Sequence, residues 1–373
     1  MNLSYSDEQH LLQRTARDLL EAQSPPALVR EVEDTHQNFS LPLWASLAEH
    51  GWLGLGLPEV SGGNGGGPLE VAIFAEELGR TLAPAPWIST VVWGGALLVQ
   101  QQSQATKDLL RRVIAGNALI AAATREDAGY GPEAIRTRAE QRDGTWRLTG
   151  RKLFVVDGGA ADHLVVLAHD PGAGLTAFLL RADDDGVRIA VQPTTGGDGL
   201  AVVDFENAEA IDILGAPGEG WAVLERPELL ATSAFTAWML GGAEKAFEAA
   251  VDYAKARVQF GRPIGSFQAV SHKLAEVRWR LDALRMLTYK AAAMLDRRED
   301  ASVEVSEAKA YANRWGVWSM HRVHEVFAGL GFMRIHDTQL YYRRLVVAST
   351  VFGDETYHRR RVVRARVLQP AGA

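Results

Sequence analysis

The sequence predicts an α+β, multidomain protein: an N-terminal helical domain, a middle antiparallel β domain and a C-terminal helix bundle. Three observations predict it. Apolar residues recur at helical spacing in the first third, gather into short β-type runs in the middle, and return to the helical period from Gly220 onward. No helical period lies between the middle runs. The alternative, a parallel doubly wound sheet, needs helices there. The expected domains are residues 1–117, 118–219 and 220–373.

In the first domain, Ser6 precedes Asp7, Glu8 and Gln9 as an N-cap, ahead of an apolar stripe through Leu11, Leu12, Ala16, Leu19 and Leu20. A second helix is expected over Leu41 to His50. The Gly-rich loop GWLGLGLPEVSGGNGGGP follows, then a helix through Val71, Phe74, Leu78 and Leu82. The middle runs are TWRLTGRKLFVVDGG, DHLVVLAHD, GLTAFLLRAD, GVRIAV and LAVVDFENAE. They are rich in Val, Leu and Ile and are punctuated by Gly, Asp and Pro, as strands are. In the third domain, Phe267, Val270, Leu274, Val277, Leu281 and Leu284 alternate steps of three and four, the seam of a long bundle helix. Similar helices are expected from about Pro227 to Gln259 and from about Val303 to Leu330.

Composition narrows the function. Of 373 residues, 47% are apolar and 23% charged, a soluble globular profile, and ten tryptophans and twelve phenylalanines supply large core side chains. A net charge of −7 argues against a nucleic-acid partner. The run Arg359, Arg360 and Arg361, with Arg364 and Arg366, reads as a solvated C-terminal segment. The chain has no cysteine, which removes disulfides, thiolate nucleophiles and Cys-ligated metals and fits the expected cytoplasmic location. The first residues carry no signal-peptide core, and the apolar stretch from Pro84 to Val99 is broken by Pro86, Ser89, Gly94 and Gly95, so no membrane span is expected.

Several motifs carry little. The triplets at 54–56, 129–131 and 329–331 lack the third glycine of a dinucleotide fingerprint between strand and helix. His321 and His324 have no carboxylate completing a metal site, and no G-x-S-x-G elbow is present. More informative is YAKARVQFGRPIGSFQAVSHKLAEV, from Tyr253 to Val277. Arg257 sits at a helix end, where its fork of donors suits a phosphate. Phe260 stands beside a glycine turn, and Gln268 opens the next helix. Such a turn suits a nucleotide's phosphates and ring, and equally a plain helix–loop–helix corner.

The pattern RxQFGxPIxxFQ resembles the signature of the acyl-CoA dehydrogenase family. Further segments resemble that family in the same order: GWLGLGLPEVSGGNGGG, TREDAGYG, GRKLFVVDGG and EVFAGLGF. The resemblance covers essentially the whole chain. It implies a helical domain, a β domain and a four-helix bundle, in the order read above. It also implies FAD held between the subunits of a homodimer or tetramer, or of a heterotetramer with a second acyl-CoA dehydrogenase-like subunit. Arg257, Phe260 and Gln268 would hold the pyrophosphate and adenine across the interface, helped by Glu325, Gly329 and Gly331. Thr124, Phe154 and Val156 would lie near the isoalloxazine ring. The implied reaction removes the α-proton and β-hydride of an acyl-CoA thioester, and an electron-transfer flavoprotein is the implied acceptor.

That chemistry needs donors for the developing enolate oxygen and a carboxylate base in a desolvated site. The family places its glutamate in one of two positions. In the C-terminal loop, VFGDET matches the motif and Gly353 stands where the glutamate belongs. On the helix before Arg257, the position falls on Ala231, followed by Thr232. Arg125 also replaces a glutamate, Tyr130 a pyrophosphate-binding serine and Phe154 a flavin-stacking tryptophan. Three explanations follow. A partner subunit supplies the base, as in heteromeric enzymes of bacterial sterol degradation. Or the base has moved, to Asp354 or Glu355 in the loop, or to Glu225 or Glu228 on the helix. Or the fold serves other flavin chemistry or a binding role. Asp354 and Glu355 also fit a solvated turn paired with the arginines that follow.

Overall fold

Helix α1 (Asp7–Gln23) begins at the cap the sequence marks: the Ser6 hydroxyl accepts from the Gln9 N–H, and the Gln9 side chain accepts from the Ser6 N–H. A computed structural model describes residues 5–368 apart from Gln102, Ala128 and Asp198. After α2 (Pro26–Asp34) and α3 (Leu41–Glu49), the Gly-rich loop leads to α4 (Pro68–Thr81). Residues Val71 to Arg80 of α4 are all buried, because α4 runs through the centre of the molecule against the later bundle. A wide helical turn (Ile88–Gly95) tightens into α5 (Ala96–Val99), and α6 (Gln104–Ile114) closes the first domain.

Seven strands form the middle sheet: β1 (Ile120–Ala123), β2 (Arg138–Arg142), β3 (Thr145–Val156), β4 (His163–Asp170), β5 (Gly174–Arg181), β6 (Val187–Gln192) and β7 (Leu200–Leu214). The pairing β4–β2–β3–β7–β5 returns to β4, so the sheet closes on itself, with β1 added to β4 and β6 to β7. Most pairings are antiparallel, as expected. Two differ: β1 runs parallel to β4, and β2 meets β4 in parallel at Arg138 and His169. The chain inserts the β2–β3 hairpin between β1 and β4, and so enters β4 in the direction it left β1. The middle of β4, from Leu164 to Ala168, is apolar because both faces are covered there. Val165 and Leu167 face a core shared with the helical domain, while Leu164 and Val166 face the interior of the curled sheet.

The bundle consists of α7 (Gly220–Ala256), α8 (Gln268–Asp296), α9 (Ser302–Tyr311) continued by α10 (Val317–Phe327), and α11 (Thr338–Ala348), followed by α12 (Glu355–Val363). A hairpin of β8 (Val258–Gln259) and β9 (Arg262–Pro263) joins α7 to α8. The predicted seam holds: Val277, Leu281 and Leu284 are buried. Helix α7 starts seven residues before the expected Pro227. A proline inside a helix orphans the carbonyl four residues earlier. Here that carbonyl, of Val223, accepts from Gln100 Nε2 at 2.9 Å, so the helix tolerates the proline. Among the described residues, no helix is long and apolar enough to cross a membrane.

Candidate active site and cofactor surfaces

A two-lobed cleft opens where three segments meet. The loop after β1, with the end of β3, supplies Thr124, Arg125, Tyr130, Phe154 and Val156. The start of α7 supplies Trp221, Glu225 and Glu228. The C-terminal loop and α12 supply Phe352, Asp354, Tyr357 and Arg361. Local structure aims each segment. The β3–β7 register slips between Lys152 and Val155, and this bulge, with Phe154 at φ +57°, turns the Phe154 ring outward. The Leu153 N–H donates to the Arg125 carbonyl at 2.7 Å and ties the β1 loop to the bulge.

The acid next to Arg125 is structural. Glu126 accepts from the buried Lys152 Nζ at 2.6 Å, from the Thr137 hydroxyl at 2.7 Å and from the Arg136 and Thr137 N–H groups. Burial raises the Glu126 carboxyl, but Lys152 and Thr137 override it and hold the group below the usual range. Arg125 itself has no ion pair among the described residues, and its buried Nε lacks an acceptor. Its guanidinium lies 3.9 Å from the Tyr130 ring centre and 5.1 Å from that of Phe154. Tyr130 stacks on Tyr357 at 4.5 Å and donates to the Thr350 carbonyl at 3.2 Å, bridging the sheet to the C-terminal loop. The arginine run is solvated as expected, with Arg359, Arg360, Arg364 and Arg366 exposed; within it Arg360, Arg361 and Arg364 line the cleft, and Arg366 binds Glu304 and Glu307.

The candidate carboxylates separate sharply. Asp354 caps α12, accepting from the Tyr357 N–H at 2.7 Å. Glu355 is paired with Arg314 at 3.3 Å and Arg359 at 2.9 Å, the surface pairing the sequence allowed. Glu228 differs from both. It lines both lobes, is half-buried, and no hydrogen bond or ion pair holds its carboxylate among the described residues. Burial raises its pKa, opposed by Arg361 and Arg125 and reinforced by Glu225. It lies three residues before Ala231, almost one turn along the same face of α7. Gly353 has φ +106°, and a Cβ there would sit 2.4 Å from His358 Nε2 and 2.6 Å from Tyr357 Cδ1. The loop is therefore built around glycine.

The FAD residues expected from the resemblance fall into two groups. Thr124, Phe154 and Val156 line the cleft. Arg257, Phe260, Gln268, Glu325, Gly329 and Gly331 gather around the other end of the bundle. Phe260, at φ +53° in the β8–β9 turn, is 92% exposed, and Arg257 makes no ion pair among the described residues. Glu325 is held by Lys273 at 2.6 Å and Arg322 at 2.9 Å. Val258, Phe332, Met333 and Ile335 are also exposed nearby. From Glu228 on α7 to Arg257, the C-cap of that helix, is 29 residues, about 43 Å at 1.5 Å per residue. That distance is longer than a single dinucleotide. An unpaired cation and a bare aromatic at one end, and an apolar cleft with an acceptor-free Arg125 Nε at the other, fit the two ends of an anionic dinucleotide.

Comparison with known proteins gives the lineage. Family models described as the N-terminal, middle and C-terminal domains of acyl-CoA dehydrogenase match residues 6–117, 121–208 and 218–367. An acyl-CoA dehydrogenase of Bacillus subtilis is 29% identical over 367 residues, 95% of this chain and 96% of the relative. The ChsE4–ChsE5 complex of Mycobacterium tuberculosis superposes with a TM-score of 0.90 at 28% identity, covering 100% of both chains. A steroid acyl-CoA dehydrogenase variant, Tcur3481–Tcur3483, superposes with a TM-score of 0.86 at 29% identity, over 95% of this chain and 96% of its own.

Proposed function

The chain belongs to the acyl-CoA dehydrogenase family of FAD-dependent oxidoreductases, and from that premise we propose that it dehydrogenates an acyl-CoA thioester between its α and β carbons, with Glu228 as the base. Glu228 carries the reading. A weakly acidic α-proton needs a carboxylate whose proton affinity is raised by desolvation, and Glu228 is such a group, donor-free in the cleft. Asp354 and Glu355 are already committed to a helix cap and to arginines. Bound FAD supplies the two-electron oxidation. Thr124, Phe154 and Val156 would hold its ring, and Arg257, Phe260 and Gln268 of a second subunit its phosphates and adenine, with Glu325, Gly329 and Gly331 shaping that rim. An electron-transfer flavoprotein is the proposed acceptor.

A second reading rests on Gly353 and on the relatives. Two of the similar structures are named as pairs of different chains, and the family's loop glutamate has no room here. In that reading this chain binds FAD in a heterotetramer and its partner supplies the base. Anaerobic titration of the purified, FAD-loaded chain with a panel of acyl-CoAs separates the two. Bleaching of the flavin absorbance by the lone chain, lost in Glu228→Gln, is expected. No bleaching with FAD bound, restored by adding a glutamate-bearing partner, would favour the heteromer.

A further inference from the structure

The loop from Thr350 to Asp354 is held from beneath by polar side chains whose purpose the dehydrogenation reading leaves open. His358, in the first turns of α12, is 1% exposed, and its Nε2 lies 2.8 Å from the Phe352 carbonyl. A carbonyl only accepts, so Nε2 carries the proton. The Nδ1 atom is buried and meets no partner among the described residues, as suits a neutral ring. A second strut holds the next peptide: Asn313 Nδ2 donates to the Gly353 carbonyl at 3.0 Å, while Asn313 Oδ1 accepts from the buried Lys309 Nζ at 2.5 Å. Lys309 also donates to the Ala348 carbonyl at 2.9 Å. The carbonyls on both sides of the Gly353 Cα are thus fastened by buried donors.

This arrangement fixes where one N–H points. In a trans peptide the N–H and C=O lie on opposite sides. With the Phe352 carbonyl fastened to His358, the Gly353 N–H must point away from His358. Gly353 is buried, and its N–H finds no acceptor among the described residues. Leaving a buried donor unmet costs about 1–3 kcal/mol, so the site is built for an acceptor that arrives. The residues on either side, Phe352 and Asp354, both line the cleft. A hydrogen bond to a peptide carbonyl also polarises the amide and strengthens its N–H as a donor. The close approach of His358, with Tyr357 and the positive φ, leaves no place for a side chain at position 353.

We propose that His358 is a positioning residue: by binding the Phe352 carbonyl it turns and polarises the Phe352–Gly353 peptide so that the Gly353 N–H receives the thioester oxygen of the substrate. This rests on the acyl-CoA reading above. The clamp works on a neutral imidazole, and burial keeps the ring uncharged by pushing its pKa down to about 3. The substrate's carbonyl oxygen gains negative charge as the α-proton leaves, so a donor aimed there acts where charge develops.

The test reads the donor directly. An acyl-CoA labelled with carbon-13 at the thioester carbonyl is bound to the FAD-loaded protein, and the carbonyl stretch is followed by isotope-edited infrared spectroscopy. Binding to the wild type is expected to lower the stretch. In His358→Leu the lowering should be lost while the labelled thioester still binds, and His358→Gln, which keeps an N–H donor, should restore part of it. His358→Met replaces the leucine variant if that one does not fold. A stretch that is lowered equally without His358 overturns the inference and leaves the dehydrogenation reading standing. Failure of any thioester to bind the wild type removes both. A crystal structure of ligand-free His358→Leu reads the clamp alone: a rotated Phe352–Gly353 peptide is expected, and an unmoved one contradicts the proposal.

Discussion

Two glutamates on neighbouring helices of the same core meet opposite fates. Glu76, in α4, is 1% exposed and saturated: Arg285 binds it through two nitrogens at 3.0 and 2.8 Å, and the Tyr289 hydroxyl donates at 2.7 Å. Arg285 also reaches Glu244 on α7, which Arg278 holds in turn, so the network ties α4, α7 and α8 together. Glu228, at the start of α7, has no donor at all among the described residues, although it is also drawn out of water. A buried carboxylate used for structure is given every donor it can take. One left without donors binds its proton more tightly, and that is a property a base can use. The difference teaches that the number of donors, more than burial, sets these two carboxylates apart.

The sharpest way to break this contrast is to remove each carboxylate. Glu228→Gln keeps the shape and loses the base, and the rate of flavin reduction by an acyl-CoA, followed by stopped-flow absorbance, should fall by about 10²–10⁴-fold with little change in denaturation midpoint. Glu76→Ala should do the reverse. It takes from Arg285 its two-point partner, leaving only Glu244, and from the buried Tyr289 hydroxyl its acceptor, and should cost about 3–5 kcal/mol in chemical denaturation, while the folded fraction keeps its reduction rate. If Glu76→Ala slowed reduction as much as Glu228→Gln, the division of labour would be wrong.

Lys309 extends the comparison to a cation. It is fully buried with only neutral oxygens as direct partners, and burial pulls its pKa down to about 7, against a weak upward pull from Asp354. Lys309→Met removes the desolvated amine but strands the buried Asn313 Oδ1 and the Ala348 carbonyl, so it should destabilise the protein by about 1–3 kcal/mol near neutral pH. The sign of the pH dependence follows from linkage. Between the folded value near 7 and the unfolded value near 10.4, the unfolded chain binds more protons, so the wild type gains stability as pH rises through that window. The methionine variant should lose that component of the slope, and urea denaturation across the window measures it.

The smallest effect expected concerns the arginines that face Glu228. Arg361 opposes the upward shift of the Glu228 carboxyl. Its replacement by leucine should move the pH midpoint of flavin reduction upward, by about one unit or less, because a half-exposed cation is screened by solvent. A midpoint that stays put or moves down would mean that another group sets the profile.

Much of this protein was legible in its sequence. Periodicity marked the seam of α8 and the change from helix to strand and back, because burial of one face writes itself into every turn. The motif around Arg257 pointed to the exposed turn at the far end of α7, and the mismatch at Gly353 was plain in the loop motif. What spacing alone missed depended on partners distant in the chain. The parallel pairing of β1 was hidden because strand direction follows from a hairpin inserted between the paired strands. The early start of α7 was hidden because Gln100, far upstream, satisfies the carbonyl that Pro227 frees. That Arg360, Arg361 and Arg364, within a solvated segment, also line the cleft was hidden because other walls of the cleft lie far upstream in the chain.

The choice among acidic residues shows the same limit. Asp354, Glu355, Glu225 and Glu228 are equivalent as letters, and each stands near a family position. Only the tertiary structure decided that Asp354 caps a helix, that Glu355 meets two arginines and that Glu228 is left without a donor in the cleft. Sequence determined the periodic burial pattern, and with it the order of domains and the lineage, since those follow from local spacing. Proton affinity is set by what lies within a few ångströms in space, and for Glu228 and His358 much of that neighbourhood comes from other parts of the chain.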